Sequence, residues 1–169
     1  NELFHWILTL AIAVIIALCV NRFVLVNAEI PSGSMENTIM TGDRVFGNRL
    51  AYIFGEPKRF DIIIFRYPDD EKQLFIKRII GLPGETVEIH DGQIFIDGSK
   101  TPLKDVTTKE FMQGSFGPYT VPDNCYFVMG DNRNNSKDSR YWEHTFVTDD
   151  EIVGKAFLRY WPLNKIKFL

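Results

Sequence analysis

The chain has 169 residues, 45% hydrophobic and 14% aromatic, enough for one membrane segment and one compact domain with a core. Its formal charge of −3, with Lys and Arg spread along the chain, excludes a nucleic-acid footprint, and no repeat period or low-complexity tract appears. Two cysteines, Cys19 in the first apolar run and Cys125 in "NCYFVMG", read as small buried hydrophobes too far apart to pair.

The first element is "LFHWILTLAIAVIIALCV", Leu3 to Val20, which contains no Asp, Glu, Lys or Arg. As a helix it spans about 27 Å, close to the hydrocarbon thickness of a bilayer. Asn21 and Arg22 suit one interface, His5 and Trp6 the other. A cleavable signal sequence is a second reading, because Val26 and Ala28 offer small residues for a cut. That cut would fall almost on the serine turn that follows. A buried core helix is the third reading, and an uncleaved anchor over residues 1–22 fits best.

From Phe23 onward the hydrophobic period drops to two and turns multiply. Strands are expected in "FVLVNAEI", "DRVFGNRL", "DIIIFRYP", "FIKRIIG", "ETVEIHDGQIFIDG", "YTVP", "CYFVMGDN" and "EIVGKAFLRYW", with Asp91-Gly92 at the tip of a hairpin. Only "NRLAYIF" carries a second helical signal. The pattern predicts a mainly β protein, an antiparallel β domain of about ten short strands behind one helix. Residues 86–122 open with a hairpin and continue turn-rich and weakly periodic. They read as a small accessory subdomain inserted into a β unit made of 23–85 and 123–169, with an ordinary long loop as the alternative.

Chemistry points first to "AEIPSGSMENTI", where Ser32 and Ser34 flank a glycine after a proline, as in an exposed turn. A serine hydroxyl is a poor nucleophile until a base takes its proton, and no His or Asp lies close by in the sequence. Lys77 in "LFIKRIIGL" is a candidate base. In a strand its face-mates are Phe75 and Ile79, whereas Arg78 shares the other face with Leu74, Ile76 and Ile80. An apolar setting disfavours the ammonium, and a pKa near 8 needs about 3 kcal/mol of such bias. No acidic residue adjoins Lys77, since Asp69, Asp70 and Glu71 belong to a preceding polar turn. A lone strand lysine is ordinarily solvated, so the residues by themselves leave this base open.

The motifs "IPSGSMENTI", "GDRV", "KRIIGLPGE" and "GDNRNNSKDSRYW" occur in an order and spacing that resembles bacterial type I signal peptidases. These are membrane-anchored serine endopeptidases with a Ser/Lys dyad, and the likeness runs from the anchor to "RYWPLNKI". The resemblance implies Ser34 as nucleophile and Lys77 as general base. It implies an oxyanion hole made by the Ser32 hydroxyl and the Ser34 backbone N–H, and Ser136 orienting the Lys77 amine by a hydrogen bond. Asp131, Asp138 and Arg140 become structural, pairing to hold their loop against the site. A neutral amine moves a proton but does not hold an oxyanion, so other donors must; losing one costs about 2.7–4 kcal/mol of barrier. One departure stands out: the family commonly has proline where this chain has Asn37, which implies a surviving turn with a looser backbone.

The resemblance also implies the substrate: exported preproteins whose signal peptides carry small residues first and third before the cut. Matching positions suggest Ile30, Pro31, Met35, Ile39, Phe75 and Ile76 around the first, and Ala28, Ile30, Val45, Ile64, Leu74 and Ile76 around the third. The segments around 28–30 and 74–76 would bracket an extended peptide by strand addition. Expected partners are therefore these preproteins and a lipid bilayer, with no nucleic acid; the place is a bacterial cell membrane, spanned once, with the domain on the extracytoplasmic face. "LAYIF" at 50–54, with Phe111, Met112 and Phe116, is expected to form an apolar surface dipping into lipid, with ordinary core packing as the alternative.

Other readings fare worse. His90 sits in a hairpin and His144 on a loop, neither placed for a triad. "DNRNNSKD" has Arg133 and Ser136 where a calcium loop needs Asp/Asn and Gly, and the scattered His and Cys make no zinc set, so no metal and no cofactor are expected. Asn134 heads a formal glycosylation sequon whose glycan would obstruct the site. Two rivals to the protease are a catalytically inactive, membrane-tethered relative that assists secretion or assembly of partners, and a self-cleaving repressor-type protease. Ser34 and Lys77 together weigh against the first, and the anchor without a DNA-binding region weighs against the second.

Overall fold

The computed structural model describes residues 2–105 and 111–169, so residues 106–110 of the turn-rich stretch lie outside it. Helix α1, Glu2–Cys19, is uninterrupted by Gly or Pro and is exposed on every side. It passes through a π-helical turn, Val20–Val24, straight into the first strand. An apolar helix with no residue buried among the described residues is suited to lipid.

Eleven strands follow: β1 Leu25–Glu29, β2 Arg44–Asn48, β3 Ile62–Tyr67, β4 Asp70–Gly81, β5 Thr86–His90, β6 Gln93–Ile96, β7 Phe116–Thr120, β8 Cys125–Met129, β9 Val147–Thr148, β10 Ile152–Trp161 and β11 Lys167–Phe168. The main antiparallel sheet runs β1-β2-β10-β3-β4-β8-β9, with β11 on β10. Central β3 shows why the sheet holds: Ile62 and Ile64 enter one apolar cluster while Ile63, Phe65 and Tyr67 enter another. A strand buried on both faces reads as a continuous apolar run, as "IIIF" does. The second sheet, β6-β5-β7, turns at Asp91-Gly92 with both residues at positive φ. Its Val87, Ile89 and Ile94 share a cluster with Ile80, Phe127 and Met129 of the main sheet.

Several expectations need correction. Residues 49–53 form turns and not a helix: the Arg49 N–H bonds the Val24 carbonyl at 2.8 Å and the Asn48 side chain takes the Leu50 N–H. Asp70 and Glu71 belong to β4 instead of the turn before it. The two-residue strands β9 and β11 are too short to leave a periodic signal. Cys19 is exposed on α1, and Cys125 is half-buried; both are free.

Candidate active site

Ser34 sits in a 3-10 turn, Gly33–Met35, entered through an extended Ser32. The loop after β8 clamps that turn, because the Asn132 N–H bonds the Ser34 carbonyl at 3.0 Å and the Asn132 amide bonds the Gly33 carbonyl at 3.1 Å. Next comes a type II turn: Thr38 N–H returns to the Met35 carbonyl at 3.1 Å, with Glu36 extended and Asn37 at φ 91°. Positive φ is what the third position of such a turn requires, and Asn tolerates it. The turn survives, as expected, and its backbone at Asn37 is one that proline is unable to adopt.

Lys77 reaches this turn from β4, where it pairs in register with Ile63. Its Nζ lies 2.8 Å from Ser34 Oγ and donates to the Ile76 carbonyl at 3.1 Å. Lys77 is 4% exposed and Ser34 7%. Burial pulls the Lys77 pKa down from 10.5 to about 8, against the opposing charges of Asp138 and Asp131. The sequence neighbourhood of Lys77 holds no acid, but the fold brings these two close. Each is matched by a guanidinium: Arg140 Nε bonds Asp138 at 2.8 Å, and Arg78 bonds Asp131 through Nε at 2.8 Å and Nη2 at 2.7 Å. Asp131 also accepts from Thr38 Oγ1 at 2.5 Å, tying the turn after Ser34 to the same pair.

Ser32 is exposed, with its hydroxyl 3.4 Å from Ser34 Oγ, at the mouth of the site. Ser136 departs from expectation. Its Oγ is buried and makes no hydrogen bond, so the expected bond to Lys77 is not formed. It packs instead beside Gly130, where an added Cβ would meet both Ser136 Oγ and the Ser34 carbonyl at 2.3 Å. Lys77 Nζ already lies against Ser34 Oγ and the Ile76 carbonyl.

A cleft of about 400 Å³ opens from Ser34 and Lys77. Ala28, Ile30, Pro31, Ile64, Leu74, Phe75 and Ile76 line it, as do Asn27, Glu29 and Gln73, which sequence reasoning did not place there. Outward polar positions on strands carry no sequence mark distinguishing a cleft rim from plain surface. Met35, Ile39 and Val45 are absent from its walls: each is fully buried in the cluster beneath. The bond from Ile39 N–H to the Met35 carbonyl, at 2.9 Å, closes a tight turn there, and Val45 pairs with Ala28 inside the sheet. A larger cavity of about 650 Å³, bordered by Arg49, Tyr52, Tyr126 and Asp149, contains neither Ser34 nor Lys77.

A buried amine touching a serine hydroxyl at the head of an apolar cleft in an antiparallel β fold is the arrangement of a hydrolase that works without histidine. Residues 3–161 match the family described as signal peptidase, peptidase S26. Signal peptidase I of Leptolyngbya laminosa is 39% identical over 173 residues, covering 98% of this chain and 83% of that protein. Signal peptidase I S of Bacillus subtilis strain 168 is 37% identical over 176 residues, covering 99% and 94%. The crystal structure of a signal peptidase I from Enterococcus faecalis V583 aligns with a TM-score of 0.51 at 37% identity, over 59% of this chain and 96% of that one. The chain belongs to the signal peptidase family, peptidase S26, a family of membrane-associated serine endopeptidases.

Proposed function

We propose that the chain cuts signal peptides from exported preproteins at a bacterial membrane, with Ser34 as nucleophile and Lys77 as its general base. The observation that carries this reading is the 2.8 Å approach of Lys77 Nζ to Ser34 Oγ in a site where burial brings the amine to a pKa of about 8. A neutral amine takes the hydroxyl proton as Ser34 Oγ attacks the scissile carbonyl, then delivers it to the departing amine. The developing oxyanion is held by the Ser32 hydroxyl and the Ser34 backbone N–H. Asp131, Asp138 and Arg140, with Arg78, keep the loop after β8 against the catalytic turn. Ser136 fills the space beside the Ser34 carbonyl.

Two free backbone edges support strand addition. β1 pairs only with β2 among the described residues, and β8 takes up β4 only from Arg78 onward. An extended peptide in the cleft between Ala28–Ile30 and Leu74–Ile76 can bond to both. Small residues fit the first and third positions because Ile30, Ile64 and Ile76 leave shallow walls over a filled core.

α1 serves as a single-pass anchor with the catalytic unit outside the cytoplasm, and residues 86–122 act as an accessory insertion in a unit of 23–85 and 123–169. Cleavage of an added signal-peptide substrate by the full chain in detergent tests the reading. Ser34→Ala and Lys77→Ala are each expected to abolish turnover with the fold intact; near-normal cutting by either variant sinks the assigned role.

A further inference from the structure

Resting on the protease reading above, we propose that Glu29 selects the charge of the substrate residue second before the cut, favouring Lys or Arg over Asp or Glu. β1 and the residue after it alternate: Val26 and Ile30 are buried, Ala28 packs against the same cluster, and Asn27 and Glu29 face outward. Its pairing with β2 uses one edge and leaves the other to the cleft. A peptide strand added along that free edge has the same period of two. When its first and third side chains point inward with Ile30 and Ala28, its second points outward, on the side of Glu29. Side chains on one face of neighbouring strands have Cβ atoms about 4.5–5.5 Å apart, within reach of a carboxylate and an ammonium.

Glu29 and Lys77 are the charged residues lining this cleft among the described residues, and Lys77 is buried at its floor. The Glu29 side chain is 66% exposed and its carboxylate is met by Arg44 Nη2 at 3.4 Å, itself on a side chain 49% exposed. Arg44 is its cross-strand partner on β2, so it offsets part of the carboxylate's field without covering it. A substrate cation shares Glu29 with Arg44; a substrate carboxylate is repelled.

The test uses the full chain in detergent and signal-peptide substrates that differ only in having Lys, Gln or Glu second before the cut. At low salt the ratio of kcat/KM for Lys over Glu is expected to lie at about 1.4 to 5 or above, the range of a single exposed charge pair. In 1 M salt, where the screening length is about 3 Å, it is expected to fall toward one. Glu29→Gln should bring the low-salt ratio toward one, Glu29→Lys should invert it, and Arg44→Gln should raise it above wild type. Taking the ratio within each variant cancels any general loss of rate. Opposite signs for Glu29→Gln and Arg44→Gln would not arise from a merely structural role. An unchanged ratio across wild type and these variants overturns the assignment to Glu29. A wild-type chain that cuts none of the peptides overturns the protease reading beneath it.

Discussion

At Lys77, burial and charge pull in opposite directions, and the balance has a measurable cost. Desolvation lowers the amine's pKa from 10.5 to about 8 although Asp138 and Asp131 act to raise it. The folded chain therefore releases this proton near pH 8, while the unfolded chain holds it until about 10.5. Between those values the unfolded state binds more protons, so this group makes stability rise with pH across that window. Below it the full penalty is present, about 3 kcal/mol for a shift of this size. Lys77→Met keeps the bulk and removes the charge. It is expected to be inactive yet more stable by about 3 kcal/mol at pH 7, the gain vanishing near pH 10.5, by denaturant titration at several pH values. For the wild-type chain, kcat/KM is expected to climb through pH 8 as the base loses its proton. The neighbouring turn yields a second residue-scale prediction. Asn37 at φ 91° is a conformation that glycine accepts and proline, fixed near −65°, does not. Asn37→Gly should leave the melting midpoint nearly unchanged, whereas Asn37→Pro should cost about 1–3 kcal/mol of stability.

Elements bring together what lies far apart in the chain. Arg78 and Asp131 are 53 residues apart, and they meet because β4 and β8 are adjacent and pair Arg78 with Met129. No periodicity predicts that adjacency, which is why Arg78, Thr38 and Asn132 escaped sequence reasoning; Lys77, with Phe75 and Ile79 on its strand face, stayed open on local pattern and was assigned through the family resemblance. Strands with clean alternation or long apolar runs were legible from local pattern; the turns of 49–53 were not, since Arg49 at their start bonds the Val24 and Leu25 carbonyls across the sheet. Cleft walls proved half legible: Ile64 and Leu74 line the cleft, Leu74 exposed and Ile64 from the core, but Met35 and Ile39 are turned inward by their own tight turn. The two guanidinium–carboxylate pairs have an electrostatic consequence at the amine. With Arg140 removed, the carboxylate of Asp138 faces Lys77 uncompensated and favours its ammonium form. Arg140→Gln is expected to move the apparent pKa of kcat/KM above 8 and to slow cleavage at neutral pH. Adding Asp138→Asn should return it toward 8, and a pH–rate profile of the single and double variants reads the difference. An unmoved profile in Arg140→Gln would mean that Asp138 exerts no field on the base.

For the molecule as a whole, the proposed anchor role of α1 sets where the proposed chemistry happens. β1 begins directly after the turn that ends α1, and Ser34 lies ten residues beyond Val24. A chain of that length reaches at most about 35 Å, so on the proposed reading the Ser34–Lys77 pair lies within reach of the headgroups. The turns at 49–55 sit beside the same exit, held by Arg49 to the Val24 and Leu25 carbonyls, and they carry Ile53 at 63% and Phe54 at 91% exposure. Of the other residues expected to meet lipid, Phe111 is exposed, Phe116 is half-buried and Met112 is buried in the core between the two sheets. Two large apolar side chains left bare next to the apolar helix are unfavourably hydrated, and lipid covering them would remove that cost. A chain lacking residues 1–22 is therefore expected to retain affinity for vesicles, and its cleavage rate to depend on detergent or lipid. Replacing Ile53 and Phe54 with Ser in that shortened chain should cut vesicle binding about tenfold or more, given roughly 1.5–3 kcal/mol for each fully buried side chain. The same replacement at Phe111 serves as the comparison, because that residue is exposed on the side of the second sheet, where it covers Gly92. Equal vesicle binding by the shortened chain with and without Ile53 and Phe54 would leave α1 as the membrane contact and remove the 49–55 turns from it.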